Sequence, residues 1–225
     1  RDIPLKFEGD AAPVGTTRVL DLREARQQFR FTDIPERPVP SLLRGFSAPV
    51  TVHFAYSSDE LAFLAAHDSD PVNRWDAAQK SFCEAILATA RDARAGRPLA
   101  ASATLQRVVQ TLLRDHASDP ALIALAMAPP DPAYVAALED TIDVDGISLA
   151  RSFLIESLAR ELRADFERVY GERRVRASYA PTPAQIGARR LANMCLRYLG
   201  RLDDAAAHAL VVAQFNAADN MTDTY

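Results

Sequence analysis

Apolar and polar residues alternate along the chain up to about residue 57. Val52, Phe54 and Tyr56 stand two residues apart, and residues 3–7 show the same alternation. A period of two is that of a β-strand with one buried face. Glycine and proline between the apolar runs end strands and favour turns. The pattern predicts four or five short strands, about half of an immunoglobulin-like sandwich of ~100 residues.

The period changes to 3.6, that of an α-helix, at Ser57. The stretch Ser57-Ser-Asp-Glu60 fits a capping box, in which Glu60 returns a hydrogen bond to the capping residue. We therefore expect the switch from β to α structure between Tyr56 and Asp59. Residues 1–57 are predicted to form a partial β-sandwich domain, and residues 58–225 an α-helical domain that is truncated at its end.

Start and stop signals divide the remaining chain into helices joined by short loops. Asp-Pro pairs and Thr182-Pro-Ala-Gln185, which fits a second capping box, mark helix starts, and glycines mark ends. The fold class is predicted as mainly α, a stacked antiparallel helix array preceded by the partial sandwich. Predicted helices cover residues 58–67, 71–94, 101–116, two short segments from Asp119-Pro120 and Asp131-Pro132, one long helix from Asp145-Gly146 to Tyr170-Gly171, residues 182–200 and 202–218, and the start of another at 220–225.

The helix that begins after Asp70 contains the only tryptophan, Trp75. Asp70 can cap this helix, and Pro71 suits its first turn. We expect Trp75 to be mostly buried, with the neighbouring charges of Arg74 and Asp76 either solvated or paired. The apolar stripe consists of Trp75, Ala78, Phe82 and Ile86.

Composition narrows the class of protein. The 225 residues are 48% hydrophobic and 25% charged, which is ordinary for a globular protein with a buried core. A net charge of -4 argues against a nucleic-acid surface, and no apolar run has the ~18–20 residues of a membrane span. Cys83 and Cys195 each lie in an apolar helical pattern, so we expect buried thiols in a reducing, cytoplasmic compartment. Because the chain begins with Arg1 and not Met, we expect a fragment or a processed chain.

No catalytic motif stands out. A zinc peptidase needs His-Glu-x-x-His on a helix, and the four histidines do not pair at that spacing. A nucleophile elbow, a P-loop and a dinucleotide fingerprint are also absent from the sequence. Asp203-Asp204 and Asp115 with Asp119 could hold Mg²⁺, but aspartate at a helix start is more often a cap. The histidines are His53, His67, His116 and His208.

Four stretches, in the same order, resemble the bacterial aminopeptidase N family of gluzincin-type zinc aminopeptidases. They are Pro38-Val-Pro-Ser-Leu-Leu-Arg-Gly-Phe-Ser-Ala-Pro-Val50, Asn73-Arg-Trp-Asp-Ala-Ala-Gln79, Leu191-Ala-Asn-Met-Cys-Leu-Arg-Tyr-Leu199 and Gln214-Phe-Asn-Ala-Ala-Asp-Asn-Met-Thr-Asp223. The resemblance is to the non-catalytic rear of that enzyme: the end of its small β-sandwich domain and the front of its helical domain, a curved superhelix. It implies a catalytic domain upstream that carries the zinc.

The resemblance also implies a place for residues 219–223. The concave helical surface of the family covers the active site, so Asn220 to Asp223 could line the substrate cavity. Alternatively, Asn220 or Thr222 caps a last helix. Asp219 stands where the family more often has Asn, and Asn216-Ala217 also departs from the family pattern. These departures weaken a specific role for the stretch.

Two hypotheses for the function follow. In the first, the chain is the scaffold of a cytoplasmic zinc aminopeptidase that removes N-terminal amino acids from peptides. Its partners are then peptide substrates, through the parent enzyme, and the upstream catalytic domain, but neither nucleic acid nor membrane. In the second, it is a free-standing helical module that binds a protein. We assign no catalytic, cofactor or metal residue to this segment and predict that it is inactive alone, with zinc only in the parent enzyme.

Overall fold

The computed structural model describes residues 2–224, and the chain divides into two compact units, one ending at Leu42 and the other beginning at Leu43. The first unit contains strands β1 (Lys6–Phe7) and β2 (Phe31–Thr32). They pair antiparallel, Lys6 opposite Thr32 and Phe7 opposite Phe31. The Phe7 ring meets that of Phe31 edge-on at 5.7 Å between centroids, which gives this unit a small aromatic cluster.

The prediction of four or five strands is wrong. Among the described residues only β1 and β2 form a ladder, and each has two residues. An alternating pattern yields a strand only where another segment supplies hydrogen bonds and a packed face. Here Val19 and Leu22 are 81% and 73% exposed, and residues 51–56 are not assigned to a strand. Phe54 instead packs on Tyr56 of the same segment, with ring centroids 4.5 Å apart.

The second unit is helical, and its first helix begins at Ser58 as the period change predicts. Both hydrogen bonds of the Ser57 capping box are present. Within residues 2–224 the α-helices are α1 (Ser58–His67), α2 (Pro71–Arg94), α3 (Ala103–Leu113), α4 (Pro120–Met127), α5 (Pro132–Ala136), α6 (Val144–Glu161), α7 (Arg163–Arg173), α8 (Pro183–Leu199), α9 (Ala205–Ala217) and α10 (Met221–Thr224). The position of the domain boundary at residues 57–58 remains a prediction.

Helix starts follow local signals closely. Asp70, Asp119 and Asp131 each accept hydrogen bonds from backbone N–H groups of the first turn and precede a proline. This combination satisfies free donors and places proline where its missing N–H has no cost. Thr182 caps α8, but the second capping box is incomplete, because Gln185 accepts its bond from the N–H of Ala180 instead of Thr182.

The long helix predicted from residue 145 to residue 171 is wrong in its extent. Asp143 caps α6, and a Cβ on Gly146 would lie 2.3 Å from the Asp143 carboxylate, so a side chain at this position would displace the cap. The helix breaks at Leu162, whose φ and ψ are -109° and 19°. No proline or glycine marks the break. Leu162 and Phe166 are both buried, so packing fixes the kink, and α7 then runs past Gly171 to Arg173.

The core lies between α2, α4, α6, α7 and α8. Within it the rings of Phe166 and Tyr198 stack with centroids 4.6 Å apart. The Tyr198 hydroxyl donates a 2.8 Å hydrogen bond to the carbonyl of Met127, so its polar end is satisfied inside the core. Helices α7, α8 and α4 are thereby held by apolar packing and one buried hydrogen bond.

Trp75 is mostly buried, as predicted, but it keeps part of its surface exposed and does not belong to the fully buried core. The next residues on its stripe, Ala78, Phe82 and Ile86, are fully buried. Arg74 is the buried residue of this turn, with 8% of its surface exposed. The apolar stripe therefore begins one turn later than the sequence suggests, and a paired charge occupies its first position.

A short 3₁₀ turn, Arg44–Phe46, precedes α1 and is fixed to the start of α2. Arg44 donates to Asp68 at 2.6 Å, and the N–H of Gly45 donates to Asp70 at 2.9 Å. Leu43 and Phe46 both have positive φ, near 53°, a conformation that costs energy for residues with a side chain. The capping carboxylate of α2 therefore also orders the segment that leads into the helical unit.

Candidate functional site

A polar cleft of about 250 Å³ lies where the loop after α7 approaches α8, α9 and α10. It is smaller than the ~300–1,000 Å³ usual for drug-sized ligands, so it suits a small ion or a molecule of amino-acid size. The Asp219–Asp223 stretch lies along one wall, where Asp219 and Asp223 line the cleft. The charged and amide side chains in its walls are Arg174, Arg176, Arg189, Asn193, Gln214, Asp219 and Asp223.

Arg189 is the innermost charge of this cleft, with 3% of its surface exposed. Its Nη1 pairs with the carboxylate of Asp223. Its Nη2 lies 3.5 Å from the carbonyl of Ala177 and 3.5 Å from Oε1 of Gln185, and its Nε has no hydrogen-bond partner among residues 2–224. A guanidinium has five N–H donors, so this buried cation is only partly satisfied.

Two amides hold α10 against α8 and α9 beside that pair. Asn193 Nδ2 donates to the carbonyl of Thr222 at 2.7 Å. Gln214 Nε2 donates to Asn193 Oδ1 at 2.9 Å and to the carbonyl of Asp223 at 3.1 Å. Asn220 accepts from the N–H of Asp223 at 3.1 Å, as a helix cap does. Asn220 is therefore the residue that caps α10, and not Thr222. The backbone carbonyl of Thr222 accepts the hydrogen bond from Asn193.

The outer wall of the cleft carries two further arginines. Arg174 and Arg176 are exposed and form no ion pair with the described residues. Across the cleft, Asp219 accepts a hydrogen bond from Asn220 at 2.8 Å. Three guanidinium groups thus face two carboxylates, and the lining has a formal charge of +1. A small anion would meet an attractive field there.

A second polar network lies between α2 and the loop after α3, and it is internal to the fold. Arg74 donates to Asp115 at 2.8 Å, to Ser118 at 2.6 Å and to the carbonyl of Ala65 at 3.1 Å. Burial opposes ionisation of Asp115, but hydrogen bonds from Ser118 and Arg74 outweigh it and lower the pKa of Asp115 to about 2. Each of the three guanidinium nitrogens of Arg74 donates to a protein group, which indicates a structural role.

Two of the other acidic residues considered for a metal have structural partners, whereas Asp203 is exposed. Asp119 caps α4, and Asp204 caps α9 and pairs with Arg163 at 2.8 Å. The four histidines are exposed and lie in separate parts of the fold, His53 before α1 and the others on or after α1, α3 and α9. In the part of the chain that the structure describes, no three His, Cys, Asp or Glu side chains converge as a metal site.

The comparison with known families decides the classification. A family model described as DUF3458_C, a domain of unknown function with ARM repeats, matches residues 58–225. The chain belongs to this family. A second model, DUF3458 with an Ig-like fold, matches residues 2–55. The predicted fold class, a mainly α array preceded by part of an immunoglobulin-like domain, is confirmed.

Relatives of this DUF3458_C chain carry the name aminopeptidase N. That of Escherichia coli (strain K12) is 35% identical over 98% of this chain and 25% of its own length. That of Haemophilus influenzae is 35% identical over 92% of this chain and 23% of its own length. The chain therefore spans about a quarter of these relatives, and the resemblance to the aminopeptidase N family is confirmed.

A solved structure agrees with this. The crystal structure of Legionella pneumophila aminopeptidase A in complex with aspartic acid has a TM-score of 0.79 and 27% identity. The match covers 98% of this chain and 26% of that one. No described helix of the DUF3458_C chain is long and apolar enough to cross a membrane.

The cysteines of the DUF3458_C helices are both buried and free. Burial raises the pKa of the Cys83 thiol to about 11 and that of Cys195 to about 12. A thiol with so high a pKa is protonated at neutral pH and is a weak nucleophile. These cysteines act as packing residues.

Sequence reasoning missed Arg189 as a buried charge. One signal was available: Arg189, Ala192 and Leu196 stand at positions i, i+3 and i+7, on the apolar face of α8. A charge on such a face must be buried with a partner or distort the helix. Its partner, Asp223, lies 34 residues away, so the sequence pattern alone does not identify it.

Proposed function

We propose that this chain is the non-catalytic helical scaffold of a zinc-dependent aminopeptidase N, an enzyme that removes N-terminal amino acids from peptides in the cytoplasm. The observation that carries the proposal is the match to aminopeptidase N over 98% of the chain at 35% identity. The fold supports it as well, since the solved aminopeptidase A has the same arrangement at a TM-score of 0.79.

In this proposal the helices contribute shape and not chemistry. The residues described here do not fit a zinc site, because no three potential ligands converge and a zinc site needs three or four of them within about 2.3 Å of the metal. We therefore place the metal and the residue that activates water on the catalytic domain of the parent enzyme. The helical array would enclose the cleft of that domain and restrict it to peptides, its substrates.

The test is the reading frame upstream of Arg1. We expect it to encode a His-Glu-x-x-His motif, since two imidazoles one helical turn apart bind the metal and the glutamate between them activates water. An upstream frame without that motif would contradict the proposal. A second arm measures the chain alone: after dialysis it should contain no stoichiometric zinc and should not hydrolyse an alanine anilide. Zinc at one equivalent per chain with chelator-sensitive turnover would place the chemistry in this segment.

One observation favours the alternative, a helical protein-interaction module. Helix α9 is largely apolar, yet among its residues only Ala207 is buried, and Val212 and Phe215 are 56% and 61% exposed. An exposed apolar face of this kind is typical of a surface that binds another protein. An upstream frame without the zinc motif, with a defined complex of the isolated chain in cell extract, would favour this alternative.

A further inference from the structure

We propose that the cleft between the α7–α8 loop and helices α8, α9 and α10 is a binding site for a small carboxylate, with Arg174 and Arg176 as its direct partners. The proposal does not depend on a catalytic domain, because every residue it uses belongs to the helical unit. It rests on the built form of the cleft, the unbalanced charge of its lining and the incomplete satisfaction of Arg189.

The charges of the cleft favour a monoanion. Three arginines face Asp219 and Asp223, which leaves a formal charge of +1. One carboxylate neutralises this charge. A phosphate dianion would exceed it and would meet repulsion from the two aspartates.

The inner wall already contains one arginine–carboxylate pair. Asp223, on the four-residue helix α10, places its own carboxylate on Arg189. Nε of Arg189 is nevertheless without a partner among residues 2–224, so the internal carboxylate does not satisfy the buried cation fully. Arginine binds carboxylates through paired N–H groups, and the same chemistry is available at the outer wall from Arg174 and Arg176.

Position explains why the outer arginines are the partners of the ligand. Arg189 is almost wholly enclosed, whereas Arg174 and Arg176 are exposed and free of ion pairs with the described residues. A guanidinium that is solvated and unpaired can exchange water for a ligand without breaking an internal bond. Arg189 and Asp223 then form the fixed floor, and Asn193 and Gln214 keep α10 in place.

The carboxylate could come from a peptide C-terminus or from a small free acid. We would titrate the purified chain with triglycine, triglycine amide, acetate and inorganic phosphate, and follow the backbone amides of residues 174–177 by NMR. We expect saturable shifts with triglycine and none with its amide. Equal binding of acetate would assign the site to small acids in general, which also supports the proposal. Tighter binding of phosphate than of either carboxylate would overturn it.

Two variants with the same change in net charge distinguish binding in this cleft from non-specific electrostatic attraction to the protein. The double variant Arg174→Gln with Arg176→Gln should weaken binding by about tenfold or more, which corresponds to 1.4 kcal/mol or more. The control, Arg190→Gln with Arg197→Gln, removes the same charge from exposed positions on α8 outside the cleft. It should bind as the unchanged chain does. Equal weakening in both variants, or no saturable binding to the unchanged chain, would overturn the proposal.

Asp223→Asn provides the opposite test. This substitution removes one negative charge from the cleft and frees Arg189 from its internal carboxylate. Triglycine should therefore bind more tightly than to the unchanged chain, and unchanged or weaker binding would contradict the electrostatic argument. Circular dichroism and urea unfolding would verify that each variant is folded before its affinity is compared.

Discussion

Replacing Arg74 with methionine removes the buried charge at the start of α2 while keeping an unbranched side chain of similar length. The substitution breaks three hydrogen bonds, to Asp115, Ser118 and the carbonyl of Ala65. Asp115 keeps its bonds from the N–H groups of Ala117 and Ser118 and from the Ser118 hydroxyl. The expected effect is therefore a loss of stability without loss of the local turn.

The magnitude follows from the burial of the pair. The side chains of Arg74 and Asp115 are 10% and 17% exposed. All three hydrogen bonds are donated by the guanidinium cation, and bonds of this kind contribute about 1.5–3 kcal/mol each. Because such terms do not add fully, we take roughly 3–5 kcal/mol, the usual cost of removing one partner of a buried ion pair. The Arg74→Met variant should lose that much free energy of unfolding at pH 7.

The loss should depend on pH. The folded state lowers the pKa of Asp115 from 3.8 to about 2, which corresponds to roughly 2.5 kcal/mol. Because the folded pKa lies below the unfolded one, this stabilisation is fully present above pH 4 and is lost as the pH falls towards 2. The pKa of Asp115 in the variant should lie closer to 3.8. The difference between the two proteins should therefore narrow between pH 4 and pH 2.

Urea unfolding at pH 7 and pH 2.5, followed by circular dichroism, measures both effects. The control is Arg114→Met, since the Arg114 side chain is 60% exposed and lies 3.4 Å from Asp165. An exposed pair of this kind is worth less than about 1 kcal/mol. The assignment of Arg74 as a buried structural charge would be refuted by either of two results. In the first, Arg74→Met loses no more free energy of unfolding than Arg114→Met. In the second, the difference in free energy of unfolding between Arg74→Met and the unchanged chain is as large at pH 2.5 as at pH 7.

Other predictions concern the core. Tyr198→Phe should lose about 1–3 kcal/mol, because it leaves a buried carbonyl without its donor; an unchanged urea midpoint would contradict this. Phe82→Ala should cost about 3–5 kcal/mol, and Trp75→Ala clearly less, because Trp75 is partly exposed; equal losses in urea unfolding would disprove the ranking. Cys83 and Cys195 should not react with iodoacetamide at pH 8 until urea unfolds the chain, and rapid labelling of the folded protein would show that the thiols are accessible.

Local chemistry accounts for the parts of the fold that the sequence predicted well. The observed starts of α1, α2, α4 and α5 agree with the predicted caps to the residue, because a capping box, or a cap followed by proline, acts within one turn. The break at Leu162 had no such signal. It depends on burying Leu162 and Phe166 against other helices, and an apolar pattern looks the same in a straight helix and in a kinked one.

The candidate site was predictable only in part. The sequence singled out residues 219–223, and Asp219 and Asp223 do line the cleft. The arginines of the cleft were not found, because Arg174 and Arg176 lie in a loop without periodicity and Arg189 pairs with a residue distant in sequence. The prediction of four or five strands was wrong for a related reason. Strand pairing depends on partner segments that the sequence of one segment does not specify.

The capped starts of the helices have a consequence for how such an array can change during evolution. Asp143 fixes the beginning of α6 from within its own first turn, independently of the loop before it. Asp140 and Thr141 in that loop are exposed. An insertion after Asp140 would therefore cost mainly loop-closure entropy, about 0.6 kcal/mol for each doubling of loop length. Connectors of this kind can lengthen and acquire new surface while the helices on either side keep their first residues and their packing.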